Sequence, residues 1–325
     1  MDRAAGGLTG PESVDPHGEP VANGADTTVP LLGRCAFPLA GTAVDCAVSG
    51  GPDSTALLVL AVAAGLEVTC WTVDHGLRST SADEARLVTH NAAALGVSTI
   101  TVDGLVVDGP NLEQRARDTR RAVLPMGVLT GHTADDQAET VLLNLLRGAG
   151  VPGTAGIGEP ARRPLLALRR AETRALCAAL GLEVVDDPSN ADPRFTRNRV
   201  RHEVLPLLSD VAGRDPVPLL ARHATLAGEA TSLLAGLVVD VDPADVRSVA
   251  DLPDDMVRLA VRRWLTSQIT GQLTGTMAGY PTSPPPDQAS IDRVLDVVRG
   301  RVVATEVAGG HRVRRSAGFL VFEPR

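Results

Sequence analysis

Two short segments of the chain combine residue types that can do phosphate chemistry. The first, Ala47-Val-Ser-Gly-Gly-Pro-Asp-Ser-Thr55, follows an apolar run and opens a helical pattern. Ser49, Gly50 and Gly51 let the backbone approach an anion closely, their N–H groups converge on it, and a helix N-terminus adds a favourable field. Ser54 can donate its hydroxyl to a phosphate oxygen. Asp53 is the odd element, because a carboxylate beside a phosphate repels it unless a cation lies between; Mg2+ bridging Asp53 to the phosphates resolves the conflict. The alternative is a plain strand-to-helix turn in which Ser49 or Asp53 caps the helix. The full string from Ser49 through Pro52 to Ser54, in its strand–turn–helix context, favours the phosphate loop. It is not a Walker A loop, since GxxxxGKS/T is absent.

The second segment, Gly131-His-Thr-Ala-Asp-Asp-Gln-Ala-Glu-Thr140, sits at another strand-to-helix junction. Asp136 and Glu139 are three residues apart and share a helix face. Such an acidic pair suits either Mg2+ or a cationic amine, and His132 beside it offers a proton carrier or a polar pocket wall. Thr133 as a cap, with the acids complementing the helix dipole, accounts for Asp135 and Asp136 but poorly for His132 and Glu139. A third feature is the Arg-rich stretch with Arg194, Arg197, Arg199 and Arg201. A solvated helix face is the ordinary fate of such a run, but Asn198 and His202 are interleaved and the run follows an apparent loop. A surface for RNA phosphates is the preferred reading.

The elements that must position these groups alternate between strand and helix patterns. Ala43–Ser49, Val68–Val73, Val97–Val102 and Gly127–Thr130 read as strands. Ser54–Ala64, Ser81–Leu95, Asn111–Val123 and Thr133–Arg147 read as the helices between and after them. Repeated units of this length imply an α/β fold, a parallel sheet with helices on both faces, with ligands at the C-terminal ends of the strands. A helix near Arg170–Leu180 follows a Gly/Pro-rich stretch. Helical patterns at Pro216–Leu237, Asp254–Ile269 and Ile291–Arg299 and short β-like runs in Val302–Glu323 give a smaller, mostly helical second domain. The expected division is an unordered tail over residues 1–30, a catalytic domain over 31–211 and an RNA-contacting domain over 212–325. Residues 271–287 read as a loop.

Composition narrows the function classes. The 325 residues are 44% hydrophobic and 22% charged, as in a soluble globular protein. Neither a membrane span nor a secretory leader is legible, so a cytoplasmic location is expected and no membrane partner. The net charge of −8 argues against a whole-surface nucleic-acid binder, and all 31 Lys and Arg residues are Arg. Cys35, Cys46, Cys70 and Cys177 lie far apart without a CxxC pair, which reads as buried thiols, not a metal or cluster site. The oligomeric state is open, a homodimer included.

The SGGPDS string resembles the phosphate loop of the PP-loop ATP pyrophosphatases, which implies ATP as cosubstrate and cleavage to AMP and pyrophosphate. Further segments are similar to the tRNA(Ile)-lysidine synthase family in order and spacing. They are Val73-Asp-His-Gly-Leu-Arg78, Asn111-Leu-Glu-Gln-Arg-Ala-Arg-Asp-Thr-Arg120, the HTADDQAET segment, and the DPSN…RNRVRHEVLP stretch of Asp187–Pro206. The resemblance implies adenylation of the C2 oxygen of the wobble cytidine in an isoleucine tRNA with a CAU anticodon, then attack by the side-chain amine of free L-lysine. By the same resemblance Asp136 and Glu139, with His132, serve lysine or the metal, and Arg117 supports adenylation. An unstacked anticodon base needs stacking partners; Arg planes, Phe195 and His75 are the candidates. A PP-loop tRNA thiolase or a PP-loop ligase such as NAD synthetase is the competing class. A thiolase requires suitably spaced cysteines, and such a ligase lacks the Arg-rich stretch. A tRNA-binding module with a relict loop would not need intact Asp53, Asp136 and Glu139.

Overall fold

A computed structural model describes residues 24–74, 81–104, 119, 122–273 and 286–325. They divide into two compact units, 1–137 with 159–206 and 138–158 with 207–325. Of the segment expected to be unordered, residues 24–30 lie in helix α1 (Gly24–Leu32), and residues 1–23 are outside the described residues.

The first unit is built on a parallel sheet. Its strands are β1 (Ala43–Ala47), β2 (Glu67–Asp74), β3 (Ser98–Asp103) and β4 (Leu129–Thr130), in the order β3-β2-β1-β4. Helix α2 (Pro52–Ala63) joins β1 to β2, and α3 (Ser81–Ala94) joins β2 to β3. The chain therefore steps outward from β1 to β3 and returns to pair β4 on the other edge of β1. The C-terminal ends of β1 and β4 therefore form a topological switch point, the place where open α/β sheets bind ligands. The expected third helix, Asn111–Val123, lies almost wholly outside the described residues.

Helix α2 is apolar nearly all round, and Thr55–Ala61 is buried throughout. Such a helix belongs in the core, and Leu57, Leu58 and Leu60 pack there with Cys46, Cys70, Val88 and Leu176. Helix α4 (Ala134–Leu146) follows β4, α5 (Val151–Thr154) is a single turn, and α6 (Arg170–Ala179) packs against α2. Helix α7 (Thr196–Arg199) passes through a wider π-turn over Val200–Val204 into α8 (Leu205–Ala212).

In the second unit α5 packs along α9 (Val217–Leu237), and Asn144 Nδ2 donates to the Gly153 carbonyl at 2.7 Å. Residues 138–158 thus group with the C-terminal segment instead of the expected catalytic domain, and the expected boundary at 211/212 falls at the end of α8. Helices α10 (Asp254–Leu273) and α11 (Gln288–Val298) share a core with an antiparallel sheet of β5 (Ala304–Val307), β6 (His311–Ser316) and β7 (Phe319–Glu323). Ala317 and Gly318 both have positive φ, 50° and 87°, as a tight β6–β7 hairpin turn requires. Most of the expected loop over 271–287 lies outside the described residues. Among the described residues no helix is long and apolar enough to cross a membrane.

Candidate active site

The phosphate-loop segment leaves β1 and enters α2, whose N-cap is Gly51 and whose first residue is Pro52. Gly50 has φ +82°, and a Cβ there would stand 2.9 Å from Val185 Cγ2. Both facts select glycine. Ser54 Oγ donates to the Gly51 carbonyl at 2.9 Å and accepts the Ser49 N–H at 3.1 Å, which sets the curvature of the loop. The Gly50 carbonyl accepts the Val185 N–H at 2.9 Å, which fixes the loop against the segment after α6.

Asp53, in the first turn of α2, points away from the sheet's core toward α6. Its Oδ1 accepts the Thr173 hydroxyl, and its Oδ2 lies 3.2 Å from Arg170 Nε. Burial pushes its carboxyl above the usual range; nearby Asp136 adds to this, and Thr173 and Arg170 oppose it.

The second loop, Gly131 to Thr133, crosses directly behind Asp53. A Cβ on Gly131 would lie 2.4 Å from the Asp53 carbonyl oxygen, so only glycine allows this backbone approach. Asp136, in the first turn of α4, divides its two oxygens. Oδ2 accepts the Thr133 N–H at 2.9 Å and the Thr133 hydroxyl at 3.0 Å, capping the helix. Oδ1 takes Arg170 Nη2 at 2.8 Å and Arg197 Nη2 at 3.0 Å, with Arg201 Nη2 at 4.0 Å. Burial alone would raise its pKa, but the charges of Arg170 and Arg197 prevail and hold the carboxyl at about 2. One side chain thus caps α4 with one oxygen and receives arginines with the other. Glu139 is fully buried one turn further along α4. His132 Nδ1 is 2.8 Å from Thr130 Oγ1.

The Arg-rich stretch separates into two pairs. Arg197 and Arg201, four apart on either side of the start of the π-turn, reach inward to Asp136. Such turns recur at functional sites because they re-aim side chains within a helix. Arg194 pairs with Asp192 and is 85% exposed, and Arg199 pairs with Glu203 at the surface. Buried Asn198 donates to the carbonyls of Ser189 and Asp192 at 2.7 and 2.9 Å, tying the stretch to the turn before it. Arg117 and His75 lie outside the described residues.

Sequence reasoning missed Arg169, Arg170 and Thr173. Arg170 spans Asp53 and Asp136, and Arg169 grips Asp135 with Nε and Nη2 at 3.0 and 3.1 Å. The signal was available, since an Arg pair at a helix N-terminus runs against the helix dipole and so has a purpose elsewhere. The four cysteines are buried or half-buried thiols. Burial pushes Cys46 up to about 12 and Cys35, Cys70 and Cys177 up to about 11, far from thiolate chemistry.

A parallel sheet whose switch point carries a glycine-rich loop and facing carboxylates defines a nucleotide-binding α/β class, and residues 34–208 match the PP-loop domain family. The chain is 44% identical over 236 residues to the tRNA(Ile)-lysidine synthase of Rhodococcus erythropolis, covering 67% of this chain and 72% of that protein. It is 47% identical over 235 residues to the tRNA(Ile)-lysidine synthase of Mycolicibacterium paratuberculosis, covering 67% and 73%. The chain belongs to the tRNA(Ile)-lysidine synthase family. Among solved structures, a U34-tRNA thiolase from Methanococcus maripaludis shares the fold, with a TM-score of 0.50 and 16% identity over 63% of this chain and 77% of that one.

Proposed function

We propose that the chain uses ATP to join free lysine to carbon 2 of the wobble cytidine of a CAU-anticodon isoleucine tRNA, through an adenylated C2 oxygen. The observation that carries this reading is the meeting of Asp53 and Asp136, from the first turns of two different helices, on the guanidinium of Arg170 at the switch point. ATP lies with its phosphates on the Ser49–Ser54 loop, and the cytidine oxygen attacks the α-phosphate while pyrophosphate leaves. Cations aimed at the charge developing on the phosphates lower that barrier. Arg170, Arg197 and Arg201 form such a group.

The donor set fits Mg2+ in one specific manner. Among the described residues no three His, Cys, Asp or Glu side chains form a metal cage. Mg2+ does not need one, since it is held by one or two carboxylates together with substrate phosphates. Asp53, whose burial leaves its charge under-compensated, is the carboxylate that fits. When bound, the ion screens the phosphates from Asp53 and stabilises the leaving pyrophosphate.

In the second half-reaction the lysine ammonium seats against the face of α4 that carries Asp136, and loses a proton before its nitrogen attacks carbon 2 and AMP departs; Glu139, also expected to meet lysine, is fully buried and does not open onto that face. His132 is the proton carrier in reach of that face. Arg194 and Arg199 meet tRNA phosphates from the surface. The thiolase alternative lacks support, because all four thiols are protonated and mostly buried.

The reading is tested by following pyrophosphate with ATP and CAU-anticodon tRNA in the absence of lysine. The expected result is release of about one equivalent per site, with turnover only after lysine is added. No release under either condition contradicts it.

A further inference from the structure

The groups around Arg170 form a device with more parts than a simple ion pair needs. Its guanidinium reaches Asp53 Oδ2 with Nε at 3.2 Å and Asp136 Oδ1 with Nη2 at 2.8 Å, so one cation serves two carboxylates on different helices. The backbone that carries it is pinned independently. Asp135 Oδ2 accepts the Arg170 N–H at 2.8 Å, and the same carboxylate is gripped by Arg169 through two nitrogens at 3.0 and 3.1 Å. Asp135 therefore anchors the start of α6 and not its own helix. Arg170 itself has a side chain 22% exposed, which leaves an open side toward solvent.

A cation shared by two carboxylates sits where a divalent ion bridging them would sit. Two carboxylates and one guanidinium leave a net negative charge, and Asp136 takes a second cation, Arg197, from the opposite direction. Among the described residues Arg170 is the arginine hydrogen-bonded to Asp53, whose other oxygen takes the neutral Thr173 hydroxyl, while Arg174 acts on it only through space and pairs with Asp186. Entry of a divalent ion at Asp53 thus demands that Arg170 leave, and the incoming nucleotide polyphosphate is the anion able to receive it.

We propose that Arg170 is an exchangeable stand-in cation: it closes the Asp53–Asp136 pair until nucleotide arrives, then passes to the polyphosphate as the divalent ion takes its place. Metal entry is thereby coupled to nucleotide entry, and the enzyme does not load the ion alone. Asp135 is the positioning residue that fixes the pivot. This inference rests on the proposed ATP chemistry of the same site, but its test does not require turnover.

The test measures the Mn2+ retained with the full-length chain in equilibrium ultrafiltration, with and without ATP, so that Mn2+ held by free ATP passes into the filtrate. Wild type should take up Mn2+ weakly alone and strongly with ATP. Arg170→Met should bind Mn2+ alone at least about tenfold more tightly than wild type, because a unit charge a few ångströms from the ion has been removed. Asp135→Asn should move in the same direction by less. Unchanged or weaker Mn2+ binding by a folded Arg170→Met chain overturns the proposal. If circular dichroism shows that this variant does not fold, Arg170→Lys decides: its single ammonium cannot span both carboxylates and should raise Mn2+ affinity about threefold, and no rise overturns the proposal. Loss of pyrophosphate release in wild type, with the Mn2+ difference intact, would count against the ATP reading and not against the exchange.

Discussion

Gly131 lies against Asp53 so closely that a Cβ on it would stand 2.4 Å from the Asp53 carbonyl oxygen. Through this contact the loop after β4 sets its distance from the loop after β1, and with it the separation of Asp136 from Asp53. Gly131→Ala has to push backbone from backbone. It should cost about 1–3 kcal/mol of stability, the usual range for overpacking, and at least about tenfold in pyrophosphate release. Gly150→Ala, where a Cβ meets open space, should change neither in urea melts and turnover assays.

Asp53→Asn should separate activity from stability. Because burial raises the folded-state pKa of Asp53 above its unfolded value, the native state binds that proton more tightly. The ionised form therefore weakens the fold at neutral pH, and the penalty fades as pH falls through the folded value. Asn keeps an acceptor for Thr173 and carries no charge. Chemical denaturation at pH 7 should show unchanged or slightly higher stability, while pyrophosphate release falls by about a hundredfold or more. A loss of more than about 2 kcal/mol would mean that the pairing with Arg170 outweighs the burial.

Asp136 has the opposite sign. Its folded pKa of about 2 is below the ordinary value of 3.8, so its pairing stabilises the fold above the ordinary value and is lost as pH falls toward 2. The shift corresponds to about 2 kcal/mol at pH 7. Asp136→Asn should lose that amount at pH 7, and its gap from wild type should narrow by about half at pH 3. Urea titrations at the two pH values measure it; a gap independent of pH would show that the charge of Asp136 does not carry its contribution.

How far the sequence reaches is visible in the same residues. The parallel sheet was legible because short strand-like runs such as β1 and β2 alternate with longer helical stretches, of which α2 is apolar nearly all round and α3 opens on acidic residues. Asp53 and Asp136 were legible because each lies in the first turn after a strand, where chemistry collects. Arg170 and Thr173 were not, since they reach Asp53 across 117 and 120 residues of sequence and sit in a helix that looks structural. Nor was the inward aim of Arg197 and Arg201. A π-turn over Val200–Val204 breaks the helical phase from which a face would be assigned. The antiparallel sheet of the second unit showed only as β-like runs between glycines, because strands this short carry little alternation. Arg117, assigned through the family resemblance, lies outside the described residues.

The division of the Arg-rich stretch yields a comparison between its two pairs. Arg194→Ala and Arg199→Ala remove exposed cations. Each should weaken tRNA binding and reduce the slope of log affinity against log salt by about 1, leaving the adenylation rate at saturating tRNA near wild type. Arg197→Ala should lower the adenylation rate itself, with a smaller change in the salt slope. Filter binding over a salt series, with single-turnover pyrophosphate release, separates the two; equal effects from all three substitutions would contradict the division.

Asp53, Asp136 and their arginines are proposed to serve the joining of lysine to a tRNA base. Its most direct measurement incubates the purified chain with ATP and labelled lysine, beside CAU-anticodon isoleucine tRNA in one reaction and methionine tRNA in another. ATP-dependent label is expected in the isoleucine tRNA, little in the methionine tRNA, and none in either with Asp53→Asn. Label in neither tRNA, or equal label in both, would contradict it.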